Sequence, residues 1–134
     1  MRKIVAIGLL VPALLAACSK NDKGEEGAGK PCGPAPTALI TPSIAFPAGE
    51  GVAYTSSKAE GPSTILEGFA NADLAEVYDN FKTLLGSGGY SVTKSEKEED
   101  DAEVNFSGNN TTGQVKLVTE CEGRTSITIT IRPS

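Results

Sequence analysis

The sequence predicts an α+β fold, a small and mainly antiparallel sheet with one helix packed on one of its faces. One segment in the middle of the chain repeats its apolar residues at three- and four-residue spacings, as an amphipathic helix does. The segments on both sides alternate apolar and polar residues, which indicates strands with one buried and one solvated face. The predicted order is β-β-α-β-β-β-β, with about five or six strands in the sheet.

Two strands are predicted before the helix, at residues 52–57 and 64–69. The turn-forming residues at 60–62 join them into a hairpin. Residues 38–40 and residues 44–46 are two alternatives for a short additional edge strand, because prolines surround both of them.

The helix is predicted from Asp73 to Leu85, with its apolar residues on one face. Asp73 and Glu76 have the spacing of a capping box at its start. Gly86 is the residue expected to end it in a left-handed conformation. We expect the apolar stripe to lie on the sheet as part of the core.

Four further strands are predicted after the helix. They are centred on residues 90–94, 104–106, 115–119 and 127–131, and the last of them alternates without interruption. Turns are expected at residues 108–113 and 122–124, where Gly and Asn are frequent.

The N-terminus has the pattern of a secretory signal peptide. Arg2 and Lys3 precede an apolar run at residues 4–17. The run is short for a membrane-spanning helix, which needs about 20 apolar residues, and Pro12 would kink such a helix.

The end of this run resembles the lipobox of bacterial lipoprotein precursors, in the sequence Leu15-Ala16-Ala17-Cys18. The resemblance implies diacylglyceryl transfer to the Cys18 sulfur, cleavage between Ala17 and Cys18, and acylation of the new amino group by a chain such as palmitate. In a Gram-negative host, Ser19 after the cysteine implies the outer membrane. The alternative is an ordinary signal peptide in which a cysteine lies at this position by chance.

The chain therefore divides into three predicted parts. Residues 1–17 form the signal peptide, residues 18–47 a lipidated and flexible Gly/Pro-rich tether, and residues 48–134 a single α+β domain. Loss of Arg2 and Lys3 with the signal peptide changes the formal charge from −5 to −7. Such an acidic surface argues against a nucleic-acid partner, because phosphates would be repelled.

The cysteine count predicts one disulfide. Of the three cysteines, Cys18 is assigned to the lipid, which leaves Cys32 and Cys121 to pair in an exported protein. Closing a loop of roughly 90 residues is expected to contribute about 4 to 5 kcal/mol to stability.

Composition argues against most enzyme mechanisms. The chain contains no histidine and no tryptophan. Without histidine the usual general base near neutral pH and the common zinc ligand sets are missing. We predict a protein without cofactor or catalytic residues. An enzyme that uses carboxylates alone is a weaker alternative, with Glu67, Glu76 and Asp79 as the carboxylates to examine.

The densest charge run lies between residues 96 and 103. Its weak metal candidates are Glu98, Glu99, Asp100 and Asp101. The ordered pattern of a calcium loop is missing, so a solvated hairpin loop is the favoured interpretation and weak calcium binding is the alternative.

The last strand presents a polar face that includes Thr128 and Thr130. Flat polar sheet surfaces are able to dock partners. The function expected from the sequence is a non-enzymatic interaction or assembly module, anchored by lipid in the cell envelope, with an envelope protein as partner. A protein that binds a small ligand is the alternative, and it requires a pocket between helix and sheet or at the acidic loop.

Overall fold

In the computed structural model, six strands form one antiparallel sheet and a helix lies across one of its faces. The structure describes residues 29–42, 44, 46–47 and 51–134. The elements are β1 (Val52–Glu60), β2 (Ser63–Ala70), α1 (Leu74–Ser87), β3 (Ser91–Lys97), β4 (Asp101–Gly108), β5 (Thr111–Cys121) and β6 (Arg124–Pro133). The strands lie side by side in the order β1-β2-β6-β5-β4-β3, and every neighbouring pair is antiparallel. The predicted fold class and order of elements are confirmed.

The hairpins lie at the predicted turns, but the turn between β4 and β5 is shorter than predicted. Gly61 has a φ of 58° in the tight turn between β1 and β2. Between β4 and β5 the turn is only Asn109 and Asn110, with φ of 50° and 58°, whereas the sequence predicted a longer loop to residue 113. The loop is shorter because Asn tolerates the left-handed conformation that a two-residue hairpin turn requires.

Helix α1 begins as predicted but ends later. Asp73 is its N-cap residue, yet no side-chain hydrogen bond caps the helix, so the predicted capping box is wrong. The helix continues through Gly86 to Ser87, and the left-handed residue is Gly89, with a φ of 84°. The extra length carries the chain to the edge of the sheet, where the Tyr90 N–H donates to the Leu85 carbonyl at 2.9 Å before β3 begins.

The core lies between α1 and the sheet. The helix contributes Leu74, Val77, Tyr78, Phe81 and Leu85, all of which are buried. The sheet contributes alternate residues of its central strands, namely Leu66, Ala102, Val104, Phe106, Val115, Leu117, Ile127, Ile129 and Ile131. In β4, β5 and β6 these residues occupy the inward positions of the alternating pattern, and a period of two in the sequence predicted all of them except Ala102.

One glycine in the central sheet makes room for an aromatic ring. A Cβ atom on Gly113 would overlap the ring of Phe106 and the carbonyl of Thr130. Phe106 in turn packs against Phe46 and Tyr90, with ring centroids 5.4 Å and 5.3 Å away. Phe46 thereby ties the segment before β1 to the far side of the core.

The chain contacts the sheet before the predicted domain boundary at residue 48. The Glu122 N–H donates to the Lys30 carbonyl at 2.7 Å, and the Ile40 N–H donates to the Tyr54 carbonyl at 2.9 Å. Ile40 therefore adds a single bridge to the edge of β1, within one of the two segments predicted as alternatives for a short edge strand. The fold thus includes residues that composition alone assigned to the tether.

Candidate functional site

The sheet face opposite α1 is polar over most of its width. Strand register places one set of side chains from all six strands on this face, because they alternate with the core residues. We call it the open face, and it consists of Ser56, Lys58, Ile65, Glu67, Lys94, Glu96, Glu103, Asn105, Gln114, Lys116, Thr128 and Thr130. Ile65, Thr128 and Thr130 are half-buried by their neighbours, whereas Lys58, Glu67 and Lys116 are exposed.

Hydrogen bonds between neighbouring strands order the side chains of the open face. The side-chain amide of Gln114 donates to Glu103 Oε2 at 3.2 Å and to Asn105 Oδ1 at 3.3 Å. Lys116 Nζ lies 3.9 Å from Glu103 Oε1. These contacts cross from β5 to β4, so the polar groups in the middle of the face are held by one another.

Both margins of the open face carry similar contacts. On β1 the Ser56 hydroxyl donates to Glu67 Oε2 at 2.7 Å. On β3 Lys94 Nζ lies 2.8 Å from Glu96 Oε1. The hydrogen bond to Glu96 and the attraction of its negative charge raise the pKa of Lys94. The face therefore has mixed charge, with acidic and basic groups next to each other.

Cys32 and Cys121 form the predicted disulfide. Their Cα atoms are 5.1 Å apart, and 89 positions separate them in the sequence. The bond joins the segment before β1 to the end of β5, beside the hydrogen bond between Glu122 and Lys30. The chain coming from the N-terminus is therefore fastened at the β5–β6 turn.

Arg124 reinforces this attachment. Its guanidinium donates through one Nη to the Gly33 carbonyl at 3.0 Å and through Nε to Asn71 Oδ1 at 3.2 Å. It also lies over the ring of Phe69, with the guanidinium carbon 5.6 Å from the ring centroid. Arg124 is only 7% exposed. The sequence placed it in a turn, and no local pattern indicated that it is buried.

Phe69 is an aromatic residue on the mostly polar side of the sheet. It pairs with Ser126 of β6, which puts its ring on the open-face side, yet it is buried. The N-terminal segment is fixed at Gly33 beside Arg124 and at Ile40 on the edge of β1, so it crosses this end of the sheet. One end of the polar side is thus covered, and the remainder forms the open face.

The acidic run lies at the turn between β3 and β4. Glu98, Glu99 and Asp100 form the turn, and Asp101 is the first residue of β4. The two strands extend further into the acidic run than predicted. Glu96 of β3 is paired with Glu103 of β4. Within the described part of the chain, no group of three or more Cys, Asp or Glu side chains is arranged to hold a metal ion.

The three carboxylates of the alternative enzyme prediction do not lie in one cleft. Glu67 is on the open face, where it accepts from Ser56. Glu76 is on the other side of the sheet, at the rim of a groove beside α1, and Asp79 does not line that groove. A catalytic pair of Glu67 with either helix carboxylate is excluded by this geometry, since the sheet lies between them.

The lipobox residues, including Ala17 and Cys18, lie outside the described residues. In the portions of the chain that are described, no helix is both long and apolar enough to cross a membrane.

Comparison of the chain with protein-family models, with curated proteins and with solved structures finds no match.

Proposed function

We propose that this chain is the precursor of a cell-envelope lipoprotein, and that its mature α+β domain is a non-enzymatic interaction or assembly module. In this proposal the chain is cut between Ala17 and Cys18 and anchored by lipid on Cys18. The partner is an envelope protein that docks on the open face. The anchoring membrane is the outer membrane if the host is Gram-negative.

The support for anchoring comes from the sequence. The apolar run ends in the lipobox-like sequence before Cys18. Each buried methylene of an acyl chain contributes about 0.8 kcal/mol, and two or three chains hold a protein on a membrane far more firmly than one does. Lipid on Cys18 would therefore suffice as the membrane anchor.

The place where the N-terminal segment joins the domain is consistent with a tether. Lys30 comes 12 positions after Cys18 in the sequence, and an extended chain of that length spans at most about 40 Å. A force on this segment would act on the Cys32–Cys121 disulfide and on the hydrogen bond of Arg124 to Gly33, both at the β5–β6 end of the sheet. The anchored domain would therefore lie close to the bilayer, with the β5–β6 end of the sheet nearest to the membrane.

The single observation that carries the docking role is the open face. Helix α1 packs on the apolar side of the sheet against four of the six strands, whereas the polar side has no helix on it among the described residues and carries Thr, Gln and Asn side chains between opposite charges. Side chains that already bond to one another lose little conformational entropy when a partner binds. Such a preorganised polar surface favours recognition of a protein with matching donors and acceptors.

The anchoring half of the proposal is tested by labelling cells with an alkyne analogue of palmitate. The wild-type chain is expected to take up the label and to sediment with membranes. Cys18→Ala is expected to lose the label and to remain at the size of the uncleaved precursor, while the control Ser19→Ala keeps the label. If Cys18→Ala is labelled and cleaved like the wild type, the lipoprotein assignment is wrong.

The docking half is tested by photocrosslinking from chosen positions in the full chain in its native membrane. A photoreactive residue at Thr128 or Thr130, on the open face, is expected to yield one discrete crosslinked protein. The control position is Thr83, which is exposed on α1 on the other side of the sheet. Equal crosslinking from Thr83, or none from the open face, would contradict the proposed docking surface.

A further inference from the structure

The sheet is wider than one helix is able to cover. Six strands spaced by about 4.8 Å span about 24 Å, whereas a helix with its side chains is about 10 to 12 Å across. Helix α1 packs against β3, β4, β5 and β6. The apolar side of β1 and β2 is therefore only partly covered, and a groove runs along that flank of the helix.

This flank groove has a volume of about 320 Å³, which is within the range of small-molecule sites. Its apolar wall on the helix is formed by Val77, Phe81 and Leu84, and its wall on the strands by Val52 and Ala70. The small side chain at Ala70 and the neighbouring Ala72 leave space that larger residues would fill. A ligand that binds in the flank groove must have an apolar body, because the walls that it contacts are apolar.

The rim of the flank groove is polar, and the described residues that line it carry a single negative charge. Asn71, Glu76 and Asn80 are its polar side chains, and Glu76 is the only charged one among the described residues that line it. Glu76 and Asn80 are one turn apart on α1, so both side chains lie along the same edge of the groove. Arg124 donates to Asn71 Oδ1 and so holds the third rim residue in place.

We propose that the flank groove is a binding site for a small organic cation with an apolar body, such as an arylalkyl ammonium compound. The apolar body packs between the half-buried side chains of Leu84 and Val52, above the buried Phe81. The ammonium group lies at the rim, where it donates to the Glu76 carboxylate and to an amide oxygen of Asn80. This site is separate from the open face, because the sheet lies between the two, and it does not depend on lipidation.

The direct test uses three probes of nearly the same shape and different charge: 2-phenylethylammonium, 2-phenylethanol and phenylacetate. The full chain is reconstituted in lipid nanodiscs, and the methyl signals of Val52, Val77 and Leu84 are followed by NMR during each titration. Tightest binding is expected for the ammonium compound, weaker binding for the alcohol and the weakest for the carboxylate. Lack of any shift at these methyl groups overturns the site, and equal affinity for the ammonium compound and the alcohol overturns the assignment to cations.

Variants separate the charge from the cavity. Glu76→Gln is expected to weaken binding of the ammonium probe about two- to fivefold, which is the effect of one exposed ion pair, and to leave the alcohol unchanged. Asp79→Asn removes the same charge from α1 at a position outside the groove, and it should leave the order of the probes unchanged. If Asp79→Asn weakens the ammonium probe as much as Glu76→Gln does, the cation is attracted by general charge and the proposed contact is wrong.

A third test fills the flank groove with a larger side chain. Ala70→Leu is expected to abolish binding of all three probes by occupying their space. Because Ala70 is buried, the half-buried Ala72 provides a second filling variant, Ala72→Leu, for which less rearrangement is needed. If either variant folds and still binds the probes as tightly as the wild type, the probes bind elsewhere and the proposal is overturned.

Discussion

The guanidinium of Arg124 lies over the ring of Phe69, with its central carbon 5.6 Å from the ring centroid, and donates to the carbonyl of Gly33. This relationship joins three parts of the chain that are distant in sequence: the start of β6, the end of β2 and the segment that precedes β1. A buried cation is stable only when its donors find acceptors. The backbone of the N-terminal segment supplies one of these acceptors.

Arg124→Met tests the importance of this contact. Methionine preserves much of the apolar packing over Phe69 but removes the donors to Gly33 and Asn71. We expect the free energy of unfolding in urea to decrease by about 1 to 3 kcal/mol. Arg132→Met is the matched control, because Arg132 is exposed, and its effect should remain within about 0.5 kcal/mol. A similar effect of both variants would mean that Arg124 contributes only its charge.

The disulfide should contribute a large part of the stability. Replacing Cys32 and Cys121 together by alanine removes the bond that closes 89 positions of sequence. We expect the free energy of unfolding to decrease by about 2 to 5 kcal/mol. The measurement is urea unfolding of the double variant beside the wild type, each with and without a dithiol reductant. The reductant should weaken the wild type and leave the variant unchanged; an effect of the same size on both proteins would contradict this assignment.

Tyr54 should make stability decrease at high pH. Its hydroxyl is buried and has no hydrogen-bond partner in the described structure, and burial raises its pKa to about 12. Below pH 10 the phenol is protonated in both the folded and the unfolded chain. Between pH 10 and pH 12 the unfolded chain releases the proton and the folded chain keeps it, so the free energy of unfolding falls, by about 1 kcal/mol at pH 11.

Tyr54→Phe removes this titration and the unpaired hydroxyl together. We expect the variant to be more stable than the wild type by about 1 kcal/mol at pH 7, because no buried donor is left unsatisfied. Its advantage should grow between pH 9 and pH 11 in urea unfolding measured at each pH. A constant difference across that interval would show that Tyr54 ionises equally easily in both states.

Two glycines should respond in opposite directions to alanine. Gly113→Ala places a Cβ against the Phe106 ring and the Thr130 carbonyl, and we expect a loss of about 1 to 3 kcal/mol from overpacking. Gly86→Ala meets nothing within 4 Å and lies in helix α1, so it should increase stability by about 0.5 to 1 kcal/mol. Thermal unfolding of both variants beside the wild type provides the comparison. Equal signs would contradict the positions assigned to these two residues.

Much of the fold was predictable because periodicity is a local property. The strict alternation at residues 127–131 predicted both the strand and the burial of its isoleucines, which the structure confirms. The helix was predicted from its apolar spacing, but its end at Gly86 was not correct. The helix ends where the chain turns back toward the edge of the sheet. The position of that edge is set by the tertiary structure.

The candidate site was predictable only in part. Alternation placed Thr128 and Thr130 on a polar face, and the structure adds the neighbouring strands that make that face continuous. The hydrogen bonds of Gln114 to Glu103 and Asn105 depend on the register between β4 and β5. No spacing within a single strand reveals such a register.

The sequence by itself determined the α+β class, the order of the elements, the inward residues of β4, β5 and β6 and the pairing of Cys32 with Cys121, because each follows from local pattern or from a count. Tertiary structure alone decided that Arg124 and Phe69 are buried together, that the chain is held from Lys30 onward, and that a groove remains beside α1. These features arise where segments distant in sequence meet. They depend on the width of the sheet relative to the helix and on which acceptors come within reach of a buried cation, and neither quantity is contained in any one segment.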